Sequence, residues 1–256
     1  MQSKAFTPTC RTICLLIFLT VSLFIPLTAM PAAADNNKEA QSLVQKGDDL
    51  LKQGKYKPAE KVYAKAWEIK PSLKSFLHQK LGMAYTKEKR WVEAASEFNK
   101  AAEIDKENVV IRFNLANVYS AMGLPEKSIK EYHKILSINP ELFWAEFNLS
   151  SMYRKSGNYE KAIKHCKNAL ELNENVAPVH FQLGDLYERI HMFDKAAQEY
   201  KTTISLDPKH VKAHFNLGNM YLKKREIEKA LAHFEKSKNL DPGFVKPYVN
   251  IGTIKM

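Results

Sequence analysis

A seven-residue phrase recurs along the chain at a constant interval of 34 residues. Its copies read FNLANVY, FNLSSMY, FQLGDLY and FNLGNMY, and they begin at Phe113, Phe147, Phe181 and Phe215. A fixed period of about 20–50 residues is typical of proteins that stack copies of one supersecondary unit. Extended in both directions, the period predicts repeats that begin near residues 40, 75, 109, 143, 177, 211 and 245, of which the seventh is partial.

Several positions keep their size within this frame, and we number them from the start of each repeat. Position 7 is Leu in five repeats, position 8 is Gly, Ala or Ser in all seven, and position 11 is Tyr in five. Because residues one, three or four apart share a broad helix face, these positions predict one helix, and positions 20, 24 and 27 predict a second. The small residue at position 8 is expected to accept the large residue at position 24.

Glycine and proline mark the ends of these predicted helices. Gly54, Gly123 and Gly157 fall between the two helices of their repeats, where a residue without a Cβ suits the turn. Proline cannot continue the helical hydrogen-bond ladder and is expected to end the second helix at position 32. That position is occupied by Pro71, Pro140, Pro208 and Pro242.

This pattern resembles the tetratricopeptide repeat family, and the resemblance covers roughly residues 40 to 256. It implies an all-α fold, a right-handed α-solenoid of antiparallel helix pairs with a concave groove. We expect about six full repeats and a partial seventh in a repeat domain spanning residues 35–256. Some copies depart from the pattern, with Lys46 and Leu50 at positions 7 and 11 of the first repeat and Lys106 and Glu174 in place of the proline. Atypical terminal repeats are common in such arrays.

The first 34 residues read as a secretory signal peptide. Lys4 and Arg11 precede an apolar run from residue 13 to 27, and Ala32 and Ala34 offer the small residues of a cleavage site. We expect cleavage after Ala34 and a periplasmic or secreted, exported protein. The alternative is an uncleaved membrane anchor formed by residues 13–30, although the run is short for a bilayer span of about 20 residues.

The residues that could carry catalysis are accounted for by the repeat. Of nine glycines, five take position 8 and three take the turn, and no phosphate-binding glycine motif occurs. His78, His180 and His214 share position 4, which suggests packing roles, and a metal shared by His210 and His214 would lack a third ligand. Cys166 takes the aromatic position 24 and is predicted to be a buried structural thiol. We therefore expect no enzyme, no cofactor and no metal site.

In the family that the sequence resembles, positions 2, 5, 6, 9, 12 and 13 of the first helix face the concave groove. Carboxamides occupy position 6 or 9 in several repeats and could bind the main chain of an extended peptide. The alternative is that they only keep an exposed face soluble. These residues are Asn114, Asn117, Asn148, Gln182, Asn216, Asn219 and Asn250.

Two further sets complete the candidate groove. A phenylalanine stripe at position 5, formed by Phe113, Phe147, Phe181 and Phe215, could provide apolar pockets beside the carboxamides. The last four repeats add basic groove residues, which suggest an acidic or carboxylate-bearing peptide. They are Arg154, Lys155, Arg189, Lys212, Lys223 and Lys246.

The sequence thus predicts a non-catalytic scaffold that binds a partner protein or an extended, acidic peptide in its groove. The alternative is an accessory or assembly subunit of an envelope or enzyme complex, docked through the convex face or the end of the stack and self-associating. The formal charge of +11 falls to +9 without Lys4 and Arg11. Nucleic acid is not an expected partner, because most basic residues alternate with acids along the helices, and membrane contact is expected only if the N-terminal segment stays uncleaved.

Overall fold

A computed structural model describes residues 29–255 of the chain, and they contain helices and turns but no strand. The predicted signal peptide lies outside the described residues except for residues 29–34. A single 3₁₀ turn, Pro71–Leu73, precedes the third α-helix. The α-helices are α1 (Ala29–Lys52), α2 (Tyr56–Ile69), α3 (Lys74–Lys87), α4 (Trp91–Ile104), α5 (Val109–Ala121), α6 (Pro125–Ile138), α7 (Phe143–Lys155), α8 (Tyr159–Leu172), α9 (Ala177–Arg189), α10 (Phe193–Leu206), α11 (Val211–Lys223), α12 (Ile227–Leu240) and α13 (Lys246–Lys255).

Consecutive helices pair through short turns, so that each odd-numbered helix packs against the following even-numbered helix and the pairs stack in sequence order. The predicted all-α solenoid of antiparallel helix pairs is confirmed. None of the helices between residues 29 and 255 has the length and the apolar character that crossing a membrane requires.

The core joins the two helices of each repeat through the predicted pairing of positions 8 and 24. A Cβ added at Gly184 would lie 2.7 Å from the ring of Tyr200, and one added at Gly82 would lie 2.9 Å from Phe98. Real Cβ atoms do not approach so closely, and these glycines are therefore required for the contact. The large residues at position 24 are fully buried.

Glycine serves the turn between the paired helices in only half of the full repeats. Gly54, Gly123 and Gly157 have φ angles of 71°, 72° and 79°. The corresponding position 15 in the other three repeats holds a residue with a side chain in the same left-handed conformation, which L-residues adopt at a cost. These residues are Lys89, His191 and Arg225, with φ angles of 57°, 61° and 61°.

Proline is not what ends the second helix of each repeat, so that expectation is corrected. Helices α4 and α8 lack the proline and end at Ile104 and Leu172, two residues before position 32, as do the helices that have it. The next residue leaves the helical conformation in every case, for example Asp105 with φ −113° and ψ 82° and Asn173 with φ −155° and ψ 106°. The break therefore precedes the proline.

Candidate functional site

The candidate site is the surface formed by positions 2, 5, 6, 9, 12 and 13 of the odd-numbered helices, which we call the odd-helix face. Positions 2, 6, 9 and 13 are spaced by four, three and four residues, so they follow one stripe along each helix. Each stripe lies beside the stripe of the neighbouring odd helix, and their side chains contact one another.

Two of the carboxamides at position 6, Gln182 and Asn250, bridge neighbouring odd helices through position 9 of the preceding repeat. Gln182 on α9 accepts a hydrogen bond from Ser151 Oγ on α7 at 2.8 Å, and Asn250 on α13 donates one to Asn219 on α11 at 2.9 Å. In the second repeat an ion pair joins the same two positions, because Lys80 at position 6 binds both carboxylate oxygens of Asp48 at 2.7 and 2.6 Å. Position 6 therefore helps to hold successive repeats together.

Gln182 does not offer its carboxamide to a peptide. Its side chain is buried, and its amide nitrogen donates to Ser150 Oγ at 2.8 Å while its oxygen accepts from Ser151. Both polar atoms of Gln182 thus already have partners within the fold, which argues against the ligand contact expected there.

The remaining carboxamides differ in whether their side chains already form hydrogen bonds within the fold. Asn216 donates to the Tyr200 hydroxyl at 3.1 Å, and Asn117 accepts from the Tyr132 hydroxyl at 3.0 Å. Asn114 and Asn148 are half-buried and make no side-chain hydrogen bond within residues 29–255. The ladder predicted from the sequence is thus mostly an internal network.

The phenylalanine stripe packs each repeat against the start of the next one. Phe113 meets Trp144 edge-on with ring centroids 4.6 Å apart, and Phe215 meets Phe244 at 5.3 Å. Phe181 lies 4.6 Å from the ring of His210 in a tilted arrangement. Phe147 instead stacks on Phe143 of its own helix at 6.4 Å. All four phenylalanines are half-buried, so they contribute to stacking and leave only part of each ring accessible.

The basic residues of the odd-helix face fall into two groups. Arg154 and Arg189 both bind Asp185, at 3.4 and 3.1 Å, so part of their charge is matched. Lys155 donates to Ser120 at 3.1 Å, and the ammonium of Lys223 lies 4.6 Å from the ring of Phe193.

Lys212 and Lys246 are exposed at position 2 of their repeats and form no ion pair within the described part of the chain. Four of the six predicted basic residues therefore have no carboxylate partner among residues 29–255.

A cavity lies between α1 and α3. It was not predicted from the carboxamides and basic residues of the sequence. Its volume is about 480 Å³, within the range of about 300–1,000 Å³ common for ligand pockets. Leu51, Tyr56, Met83 and Ala84 provide its apolar walls, and Lys52 and Lys87 stand at its edge. The signal was present in the sequence, because Met83 is an apolar residue at position 9, where the later repeats have polar ones.

The histidines at position 4 pair with position 23 on the second helix of the same repeat. His78 Nδ1 lies 2.7 Å from Glu97, and His180 Nδ1 lies 2.7 Å from Glu199. In the third repeat Arg112 takes the place of the histidine and binds Glu131 at 3.0 Å. These contacts bind the two helices of a repeat together, and no cluster of three potential metal ligands occurs within residues 29–255.

Cys166 is fully buried at position 24, and burial raises its pKa to about 11. Its sulfur lies 3.0 Å from Ser150 Oγ. Because the thiolate is the reactive form, a buried thiol with a raised pKa is unreactive at neutral pH. The structure thus places Cys166 in the core, as the sequence predicted.

Comparison with known proteins identifies the repeat unit. Models described as tetratricopeptide repeat match residues 40–73, 85–145, 141–209 and 211–244. None of the curated proteins compared with the chain matches it.

Solved structures share the fold at low sequence identity. A crystal structure of MamA is 23% identical, covers 68% of this chain and 96% of its own, and superposes with a TM-score of 0.63. YrrB, described as a TPR protein with an unusual peptide-binding site, is 23% identical with a TM-score of 0.62, covering 73% of this chain and 96% of its own. PilF of Pseudomonas aeruginosa is 19% identical with a TM-score of 0.63, covering 86% and 99%. The chain therefore belongs to the tetratricopeptide repeat family and is a protein-interaction scaffold of that class.

Proposed function

We propose that the chain binds an extended, acidic segment of a partner protein along its odd-helix face. The observation that carries this proposal is the charge of the face in the last four repeats. Lys155, Lys212, Lys223 and Lys246 have no carboxylate partner within residues 29–255, whereas Asp185 is bound by two arginines. An excess of one sign of charge on an interaction surface favours a partner of the opposite sign.

The mode of contact differs from a simple carboxamide ladder. Because Gln182 and Asn250 are bound within the stack, main-chain contacts are left to Asn114 and Asn148, which are half-buried and make no internal side-chain hydrogen bond. The lysines would supply most of the affinity, and the two asparagines would align the segment across α5 and α7.

Site-specific photo-crosslinking tests this proposal. A photoreactive amino acid at Asn148 on the odd-helix face is expected to capture a partner protein, and mass spectrometry of the adduct would give its sequence. The matched control is the same group at Lys167, an exposed residue of the even-numbered helix α8. Equal capture from both positions would contradict binding along the odd-helix face.

A second test uses charge. The double variant Lys212→Ala with Lys246→Ala is expected to weaken binding of the captured segment and to reduce its dependence on salt, because exposed charge pairs are screened. Unchanged affinity and unchanged salt dependence would contradict an acidic partner.

The alternative mode, docking through the end of the stack, draws on α13. Tyr248 and Val249 are exposed there by 46% and 61%. An assembly subunit of this kind would self-associate or join a complex through α13. Sedimentation over a wide concentration range would detect self-association, and Val249→Lys is expected to abolish it.

Export remains a proposal based on the N-terminal sequence. Cleavage after Ala34 would shorten α1 but leave Ala40, which is fully buried at position 1 of the first repeat. N-terminal sequencing of the protein from a cell-envelope fraction is expected to begin at Asp35. A chain that keeps its first 34 residues in the membrane fraction would support the anchored alternative.

A further inference from the structure

The odd-helix face changes chemistry along its length. At position 2, the second and third repeats have Phe76 and Val110, exposed by 48% and 57%, where the sixth and seventh have Lys212 and Lys246. At position 9, Met83 is 47% exposed where the later repeats have polar residues. The first repeats thus present apolar side chains at positions 2 and 9 of this surface, while Lys52 and Lys87 keep position 13 basic, as in the later repeats.

The cavity between α1 and α3 lies within this apolar part. Leu51 and Met83 face it from the two helices, and the ring of Tyr56 forms a further wall. Tyr56 is held in place because it stacks on Tyr85 at 4.9 Å, with the Arg90 guanidinium 5.2 Å from its ring. A preformed wall lowers the entropy cost of binding a side chain there.

The charges beside the cavity are mostly matched. Asp48 is neutralised by Lys80 at 2.6 Å and also accepts a hydrogen bond from Tyr63 at 2.5 Å. Lys52 binds Asp49 at 3.2 Å, whereas Lys87 forms no ion pair within residues 29–255. The cavity itself therefore offers an apolar contact rather than a strong charge.

We infer that the partner segment has one bulky apolar residue that occupies the cavity between α1 and α3, and acidic residues that lie along α7 to α13. This inference rests on the proposed function and adds to it the order of apolar and acidic residues along the partner segment. Several separated carboxylates are required, because the unpaired lysines extend over the last four repeats.

The spacing follows from helix packing. With neighbouring odd helices about 8–10 Å apart, the cavity between α1 and α3 lies about two and a half spacings, about 20–25 Å, from α7. An extended chain spans about 3.3–3.6 Å per residue. The first acidic residue is therefore expected about six to eight residues from the apolar one.

Selection from a displayed library of random 20-residue peptides on the purified full chain tests the inference, because a segment that reaches from the cavity to α13 must span more than about 40 Å. We expect enriched peptides to combine one Leu, Met, Phe or Trp with at least three acidic residues at about this spacing. Failure to enrich any peptide would contradict both the proposed function and the inference. Enriched acidic peptides with no apolar residue would contradict the inference alone.

Fluorescence anisotropy with one selected peptide then locates the contact. Replacing its apolar residue by Ala is expected to lower affinity about tenfold, because the apolar surface buried in the cavity is lost. The protein variant Met83→Ser should lower affinity similarly for the parent peptide and little for the Ala peptide. Its matched control is Val92→Ser on α4, another exposed apolar residue, which should bind both peptides normally. Additive losses from Met83→Ser and the peptide change would place the apolar residue elsewhere.

Discussion

His214 and His233 face each other with their Nδ1 atoms 3.0 Å apart, at the two positions that join a histidine to a glutamate elsewhere in the solenoid. His214 Nε2 lies 3.2 Å from the carbonyl oxygen of Pro208, which can only accept, so this nitrogen holds the proton. Its Nδ1 then accepts from His233 Nδ1–H. The pair is therefore a hydrogen bond between two neutral rings, and a second proton would replace that bond with repulsion.

This arrangement predicts that the sixth repeat loses stability in acid. Burial, followed by the nearby His214 and Lys201, lowers the pKa of His233 to about 4, and burial also lowers the pKa of His214 despite the opposing Pro208 carbonyl and Asp207. The unfolded chain takes up these protons near pH 6.5, so the stabilisation is present above pH 6.5 and is lost as the pH falls towards 4. We expect a loss of about 1–2 kcal/mol between pH 7 and pH 4.5, allowing for solvent screening. Urea unfolding at both pH values measures it.

The variant His233→Glu should reverse this dependence. It places a carboxylate beside His214, as Glu199 lies beside His180, so a proton taken up by His214 would gain a partner in the folded state instead of meeting a second imidazole. At pH 5 we expect the variant to unfold at a higher urea concentration than the parent, with a free energy of unfolding that is greater by about 1 kcal/mol.

The matched control is Glu199→His, which creates a second histidine pair and should make the fifth repeat acid-labile. If His233→Glu and the parent lost stability in parallel between pH 7 and pH 5, the pair would not be the source of the effect.

The turn residues that hold a side chain in the left-handed conformation are positions where glycine is expected to stabilise the fold. Lys89 and Arg225 have φ angles of 57° and 61°, where a residue with a Cβ costs about 1–2 kcal/mol. Glycine removes this strain, but it also raises the conformational entropy of the unfolded chain, which lowers the free energy of unfolding by about 0.4–1 kcal/mol. Arg225→Gly and Lys89→Gly are therefore each expected to stabilise the fold by about 0.5–1 kcal/mol in urea unfolding.

The converse change is the control for these variants. Gly157→Ala places a Cβ at a φ angle of 79° and should destabilise by about 1 kcal/mol, although nothing lies within 4 Å of the added atom. A stabilising Gly157→Ala would show that backbone strain does not govern this turn.

The repeat frame explains how much of this structure was predictable. Positions 8 and 24 could be paired from the sequence because a glycine and an aromatic ring on facing helices have complementary volumes, as Gly184 and Tyr200 do. The end of the second helix was assigned to the wrong cause, because α4 ends at Ile104 without any proline. Proline is compatible with that break but does not produce it.

The site was less predictable than the fold, because a helix position does not determine which neighbour a polar side chain finds. Gln182 and Asn148 occupy the same position 6, yet Gln182 is bound between α7 and α9 while Asn148 is not bound. Position 9 of the preceding repeat is Ser151 for Gln182 and donates to it, whereas Asn117, at that position before Asn148, accepts instead from the Tyr132 hydroxyl. Contacts between repeats have to be evaluated pair by pair.

Gln182→Ala gives a direct test of that distinction. The substitution removes the hydrogen bonds to Ser150 and Ser151, both at 2.8 Å, while each serine keeps a bond to a backbone carbonyl, so we expect a cost of about 0.5–1.5 kcal/mol. We expect the midpoint of urea unfolding to fall, while Asn148→Ala should change the free energy of unfolding by less than about 0.5 kcal/mol. For peptide binding the order should reverse, with Asn148→Ala lowering affinity and Gln182→Ala leaving it nearly unchanged in the folded fraction. A Gln182→Ala protein that kept its stability but lost binding would show that this carboxamide turns to the ligand.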